Sequence, residues 1–321
     1  MLKKLEMDAL QSDLASVEEM LASRTEEDDP SGFYQFTARK AELEQALALA
    51  EARPTAHAEL GIFFGGGPVQ GSRGINADFA GKALEDLQAL VSKRFSGREN
   101  GRLGLRGPVP RAENSQLLVT DVMRGSFGFV LEESGADGDM VDTPLKEVVD
   151  EVADILSRVG APDEAVFDEA AATLDERMLV TLKQFLQRLD ESGATLRVVD
   201  GVRDFLLDRN AVALARQRTQ AMEIEERGAE FTGTLFLLPD SRRFDMYTTE
   251  DGQPAILRGT VSRTAMGQLA GQGDLDQPAI DPRDIPRGTW RVEVRVREIR
   301  ERNRVPRKVY TLSRLLGPAP E

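Results

Sequence analysis

Residues 290–297 read Trp-Arg-Val-Glu-Val-Arg-Val-Arg, so Trp290, Val292, Val294 and Val296 alternate strictly with Arg291, Glu293, Arg295 and Arg297. Successive side chains of a β-strand point to opposite faces, whereas a helix would scatter these residues around its axis. The segment is therefore a half-buried strand, and it needs neighbours that share its apolar face. "EFTGTLFLLP", "RRFDMYTT" and "AILRGTVS" precede it, separated by Pro-Asp-Ser and Glu-Asp-Gly-Gln turns. "VPRKVYTLSRLL" follows it, and a short helical piece, "TAMGQLAG", lies between the third and fourth strands. Five short strands within 229–321 predict a small β-barrel.

The other end of the chain follows a different period. Met7, Leu10, Leu14, Val17 and Leu21 are spaced 3, 4, 3, 4, which is a heptad seam. "RTEEDDPSG" interrupts it, and a second helix then places Phe36, Leu43, Leu47 and Ala50 on one side, with Lys40 breaking the stripe. Two amphipathic helices with a short connection make an antiparallel hairpin or coiled coil over residues 1–55. Two helices alone bury such stripes incompletely, so the seam is a candidate oligomerisation surface.

Residues 58–228 read as a central α+β domain with an acidic helical region. "AELGIFF" is a strand, and 76–95 a helix with Phe79, Ala83, Leu87 and Val91 on one face. "RFSGRENGRLGLRGPVPRAENS" has the glycine and proline content of a loop. "SQLLVTDVMRGSFGFVLEE" reads as a hairpin turning at Arg124-Gly125-Ser126. Thr143 caps the next helix, Pro144 occupies its first position and Gly160 stops it. A further helical region runs from Pro162 to about Glu191, "ATLRVVDG" is a strand, and "VRDFLLDRNAVALARQRTQAME" is largely helical. The fold class expected is α+β multidomain: helical hairpin, central α+β domain, and a five-stranded barrel that is OB-like from its element order, with SH3-like the alternative.

Composition narrows the chemistry. The 321 residues include no cysteine and one histidine, His57, which excludes disulfides, thiolate nucleophiles, zinc fingers and multi-histidine metal sites. No apolar run reaches the ~20 residues of a membrane span, and the N-terminus lacks the apolar segment of a signal peptide, so the expected location is cytoplasmic. Arginine outnumbers lysine, the coding bias of a GC-rich bacterial genome. The net charge of −14 is uneven: −6 over 1–57, +2 over 58–130, −12 over 131–228 and +2 over 229–321. The acidity belongs to the helical parts and disfavours wrapping the protein in nucleic acid.

The glycine-rich turn "FFGGGPVQGSRGIN" tests whether a nucleotide is held. Gly66 and Gly71 have phosphate-loop spacing, but Ser72 and Arg73 stand where lysine and Ser/Thr are needed. The dinucleotide fingerprint fails at Gln70. What remains is an anion or ligand turn, Gly71, Ser72, Arg73 and the helix cap Asn76, with Asp78 offsetting the positive helix end. The glycines equally serve a tight strand-to-helix connection. Ser126 has no histidine to activate it, and the run "ESGADGDMVD" lacks the oxygen spacing of a calcium loop. No cofactor or metal is implied.

The remaining feature is basic. Arg291, Arg295 and Arg297 share one strand face, with Arg300, Arg302, Arg304 and Arg307 just beyond. Such a row would bind a partner, either nucleic acid or the acidic helices of 131–228. The leading function is a non-enzymatic interaction or adaptor protein. It oligomerises through its N-terminal helices and forms part of a larger bacterial assembly, its partners being itself and another protein, with no membrane role. The alternative is nucleic-acid binding by the basic barrel face. A third is an enzyme holding phosphate or magnesium near the Gly65–Gly74 turn.

Overall fold

Leu60, Ile62 and Phe64 are buried on one face of strand β1 (Glu59–Gly66), and Phe63 is buried on the other, so this strand has no polar side. The computed structural model describes residues 2–53, 56–100, 107–123, 127–134, 141–201, 203–238, 241–250, 253–269, 285, 288–301 and 304–319. Among these the chain is α+β, with eight α-helices and three sheets. None of the described helices is long and apolar enough to cross a membrane. The chain divides into two units. One comprises Met1–Val91, Glu113–Gly160 and Arg188–Val212, the other Ser92–Ala112, Ala161–Gln187 and Ala213–Glu321.

In the first unit β1 is the middle of an antiparallel five-stranded sheet ordered β4 (Leu117–Met123), β5 (Phe127–Glu133), β1, β6 (Ala194–Val199), β7 (Asp204–Leu207). Register aligns Ile62 with Phe129 and Val198, and Phe64 with Phe127 and Leu196, which makes one continuous apolar face. Helix α3 (Ala77–Asn100) sets Phe79 edge-on to Phe64 at 5.2 Å. Helix α4 (Pro144–Val159) buries Leu145, Val148, Val149, Val152, Ile155, Leu156 and Val159. It starts where the sequence indicates, with the Thr143 hydroxyl accepting from the Lys146 N–H at 3.1 Å. Glu133 ties this cap to the sheet, accepting from the Thr143 hydroxyl at 2.6 Å and the Ala58 N–H at 3.0 Å.

The second face of the sheet is covered by the start of helix α1 (Lys3–Ala22). Leu2 and Leu5 pack with Phe63, Val130, Val199 and Met123. Gly61 and Gly128 make the room: a Cβ at Gly61 would lie 2.2 Å from the Leu2 Cδ1, and one at Gly128 would lie 2.2 Å from the Phe63 ring. Arg197 completes this face, its guanidinium 5.6 Å from the Phe63 ring centre and bonded twice to Asp204. Each member of the pair shifts the other: the Arg197 hydrogen bond holds Asp204 below the usual carboxylate range, and Asp204 raises Arg197.

α1 and α2 (Pro30–Ala52) form the expected hairpin. Val17, Leu43 and Ala50 are buried, and Lys40, the break in the apolar stripe, pairs with Glu18 across the hairpin at 2.7 Å. Lys3 closes the base by donating to the Glu51 and Arg53 carbonyls, both at 2.8 Å, which satisfies orphan acceptors at the end of α2.

The second unit holds α5 (Glu164–Ala171), α6 (Glu176–Glu191) up to Gln187, most of α7 (Arg209–Gln220), and a five-stranded sheet with α8 (Arg263–Leu269). The strands are β8 (Met222–Leu238), β9 (Arg243–Glu250), β10 (Gln253–Val261), β11 (Trp290–Glu301) and β12 (Arg307–Pro318). β8 pairs with β9 and β11, β10 with β9 and β12, and β11 with β12, so every strand has two paired neighbours. Only β10–β12 is parallel. Trp290, Val292, Val294 and Val296 face inward with Leu235, Phe244, Met246, Leu257 and Leu312, as their alternation requires.

Three boundaries differ from the sequence reading. Gly228 lies inside β8, because pairing with β11 runs unbroken from Met222. α3 continues to Asn100 rather than ending near Phe95, since Phe95 and Ser96 extend its buried stripe. Asp204–Leu207 is an edge strand, not helix: Leu207 is buried opposite Leu196, and Asp208 caps α7 only afterwards, accepting from the Ala211 N–H at 2.8 Å. The turn at Arg124-Gly125-Ser126 and most of the run 133–142 lie outside the described residues. Gly128→Ala should destabilise the fold by about 1–3 kcal/mol, because the added methyl must displace a buried ring. A urea titration beside wild type checks this, and an unchanged midpoint would contradict the packing described.

Candidate functional site

The glycine-rich turn leaves β1 at Gly66, whose φ of 77° suits glycine. Close packing dictates Gly66 and Gly67: a Cβ on either would lie 2.3 Å from the Gly193 carbonyl oxygen or 2.1 Å from that of Ser192. The chain then folds into a miniature hairpin, β2 (Val69–Gln70) against β3 (Gly74–Ile75), with Gly71 at its tip at φ 53°. Asn76 caps α3, its Oδ1 accepting from the Phe79 N–H at 3.0 Å.

This turn borders a cleft of about 570 Å³ whose wall includes Gly67, Arg73, Asn76, Asp78, Arg188 and Ser192. Of the four residues the sequence singles out here, Arg73 and Asn76 line the cleft, whereas Gly71 and Ser72 do not. Arg188, which sequence reasoning missed, is held by Asp86 through a 2.8 Å bond to its Nε. Asp86 is buried, so Arg188 compensates a buried carboxylate. Asp78 pairs with Lys82 at 2.8 Å and sits in the first turn of α3, where it offsets the positive helix end. The cleft wall therefore carries two guanidiniums, Arg73 and Arg188, and one carboxylate, Asp78. His57 lies apart from it, 3.7 Å from the Glu133 carboxylate. Among the described residues no group of three or more metal-ligating side chains is brought together.

The basic row of the second unit is divided by its surroundings. Arg291 is exposed and lies opposite Thr232 on β8. Arg295 turns to Glu226 at 3.4 Å. Arg297 donates to the Leu174 carbonyl at 2.8 Å, and burial holds its guanidinium below the usual arginine range. Further along, Arg304 pairs with Glu164, with Asp168 at 3.0 Å and with Glu301 at 2.9 Å, while Arg307 reaches Glu301 at 3.2 Å. The acids at 164 and 168 belong to α5, so part of the basic stripe meets the acidic helical region within the same unit. Arg302 lies outside the described residues.

The N-terminal seam is also engaged: Val17 is buried, while Met7, Leu10, Leu14 and Leu21 are half-buried beside α2. A surface that the sequence reading did not single out lies on the outer face of β8–β10. Phe236, Leu238, Tyr247 and Ile256 stand there 41%, 51%, 49% and 49% exposed, beside a groove of about 470 Å³ lined by Thr232, Thr234, Tyr247, Thr249, Pro254 and Ile256. The run Leu235–Leu238 lacks the alternation that would have assigned its faces.

Compared with known proteins, the chain matches no protein-family model, no curated protein and no solved structure. Arg188→Ala should cost about 1–3 kcal/mol by stranding Asp86, whereas exposed Arg73→Ala should stay within about 0.5 kcal/mol of wild type. Chemical denaturation of both variants checks this, and equal losses would show that Arg188 has no special structural task.

Proposed function

We propose that this chain is a non-enzymatic interaction protein that self-associates through its N-terminal helices and serves as one component of a larger bacterial assembly. The observation that carries the reading is the number of large apolar side chains left in water. Tyr34 and Leu49 on α2 are 59% and 67% exposed, and Leu118, Val119 and Val122 stand open on β4, an edge strand. Isolated apolar residues on a surface are ordinary, but clusters mark places where another molecule docks. Because the heptad seam is largely occupied by α2, the hairpin surface left for a second copy is the exposed side of α2 that carries Tyr34 near its start and Leu49 near its end. The open edge of β4 suits a second protein by strand addition.

The five strands and α8 of the second unit are read as an OB-like barrel. The support is the element order, three strands, a helix and two strands, together with the first strand shared between second and fourth and the parallel pairing of third and fifth. Nucleic-acid binding by Arg291, Arg295 and Arg297 together would require an open row, and Arg295 and Arg297 already have partners within their own unit.

Multi-angle light scattering of the full chain at micromolar concentration should give a dimer or larger. Tyr34→Arg with Leu49→Arg should lower that mass while leaving the circular dichroism spectrum unchanged. A wild-type monomer would contradict the reading.

A further inference from the structure

On the outer side of β8, β9 and β10 an aromatic pair stands among hydroxyls and unpaired arginines. Register sets Thr234 beside Tyr247 and Ile256, Phe236 beside Asp245, and Leu238 beside Arg243. Phe236 meets Tyr247 edge-on at 5.6 Å, so neither ring is covered by stacking on the other. Thr232, Thr234 and Thr249 line the groove next to Tyr247, and their hydroxyls make no hydrogen bond among the described residues. Arg242 and Arg243 stand where β8 gives way to β9, and Arg291 lies opposite Thr232 on β11. All three are exposed and make no ion pair among the described residues. Arg258, its side chain 71% exposed, meets Asp245 at 3.5 Å. Past Arg291, the cross-strand pair Glu230 and Glu293 is answered by exposed Arg314, which lies opposite Glu293 on β12. Guanidiniums thus outnumber carboxylates among the described residues around the rings.

We infer that this face binds a single strand of nucleic acid, with bases on Tyr247 and Phe236 and phosphates at Arg242, Arg243 and Arg291. Aromatic rings stack with any base, guanidiniums neutralise phosphates, and threonine hydroxyls reach phosphate and sugar oxygens. Arg243 is four residues from Tyr247 along β9, roughly 13 Å, and Arg291 is two strands and one row away, roughly 12 Å. A strand that crosses the rings therefore meets cations on both sides of its stacked bases. Every strand of this sheet has two paired neighbours, so the outer surface curves away to either side of β9. A flexible single strand follows that curve, whereas a rigid duplex touches only its crest. A run of Asp and Glu would pair with the arginines but has no ring to lay on Tyr247 and Phe236. The contact is local: the chain carries −14 overall, but residues 229–321 carry +2.

Fluorescence anisotropy of the full chain with fluorescein-labelled dT15 and rU15 is the test, with circular dichroism melts confirming the fold of each variant. Wild type should bind at least one of them with a dissociation constant of about 1–100 μM at about 50 mM salt, and the tighter probe assigns the strand to DNA or RNA. Three phosphate contacts predict a slope of about −2 for log K against log salt. Tyr247→Ala should weaken binding at least fivefold, on the order of one stacked base, with that slope kept. Arg242→Ala with Arg243→Ala should weaken binding and flatten the slope by about 1.4. Arg73→Ala, in the cleft of the first unit, should bind as wild type does. So should Tyr34→Arg with Leu49→Arg, so the inference and the proposed function fail separately. Binding of neither probe overturns the inference. Binding that is lost with Arg73→Ala and kept with Tyr247→Ala also overturns it, by placing the strand in the first unit. Loss with the arginine variants alone, Tyr247→Ala binding as wild type, would reduce the contact to diffuse attraction and overturn it too. Tighter binding of fluorescein-labelled hexaglutamate than of either oligonucleotide would assign the face to an acidic peptide instead.

Discussion

β1 is a strand without a polar face, and the first unit is arranged around that constraint. A central strand that buries Leu60, Ile62 and Phe64 on one side and Phe63 on the other cannot leave either side to water. α3 and α4 supply cover for the first. The second is covered by Leu2 and Leu5 at the start of α1, and glycines at 61 and 128 let those side chains and the Phe63 ring lie flat on the sheet. The helical hairpin is therefore joined to the α+β core by its own first residues, and it belongs to the same unit. The glycines after β1 continue the theme. Close approach to the Ser192–Gly193 backbone requires them, whether or not anything binds in the cleft alongside.

In the second unit electrostatics decide which surfaces remain open. Much of the arginine-rich stretch that begins at Arg295 is compensated within its own unit, by Glu226, Glu225, Glu298 and Glu301 on the strands and by Glu164 and Asp168 on α5. Arg297 goes further, entering the protein to satisfy the Leu174 carbonyl. A charge used this way stabilises its own unit and offers little to a polyanion. The face that stays open is the one with the exposed aromatic and aliphatic side chains Phe236, Leu238, Tyr247 and Ile256.

Much of this was legible in the residues. Strict alternation from Trp290 to Val296 identified β11, and the spacing of turns around it identified the four other strands of its sheet. Thr143 and Pro144 marked the start of α4 through chemistry that is local to a helix end. The heptad seam indicated the hairpin. What stayed hidden depends on long-range pairing. Asp204–Leu207 is a strand because β6 is beside it, and four residues ahead of a helix carry no signal of that. Arg295 and Arg297 alternate like solvent-facing residues, yet Glu226 and the Leu174 carbonyl, in the connection between α5 and α6, meet them there. Arg188 joined the cleft only through Asp86, more than a hundred positions away. Phe236 and Leu238 were concealed by the unbroken apolar run around them, which does not say which side chains face out.

The claim on which the functional account turns is that the chain self-associates through the exposed side of its N-terminal helices. Native mass spectrometry of the full-length protein, sprayed from micromolar solution at physiological ionic strength, addresses it most directly. The account predicts that the dominant species has a mass that is a multiple of 35.3 kDa, with the single-chain species gaining only on dilution. A spectrum in which the 35.3 kDa species dominates at every concentration would contradict it.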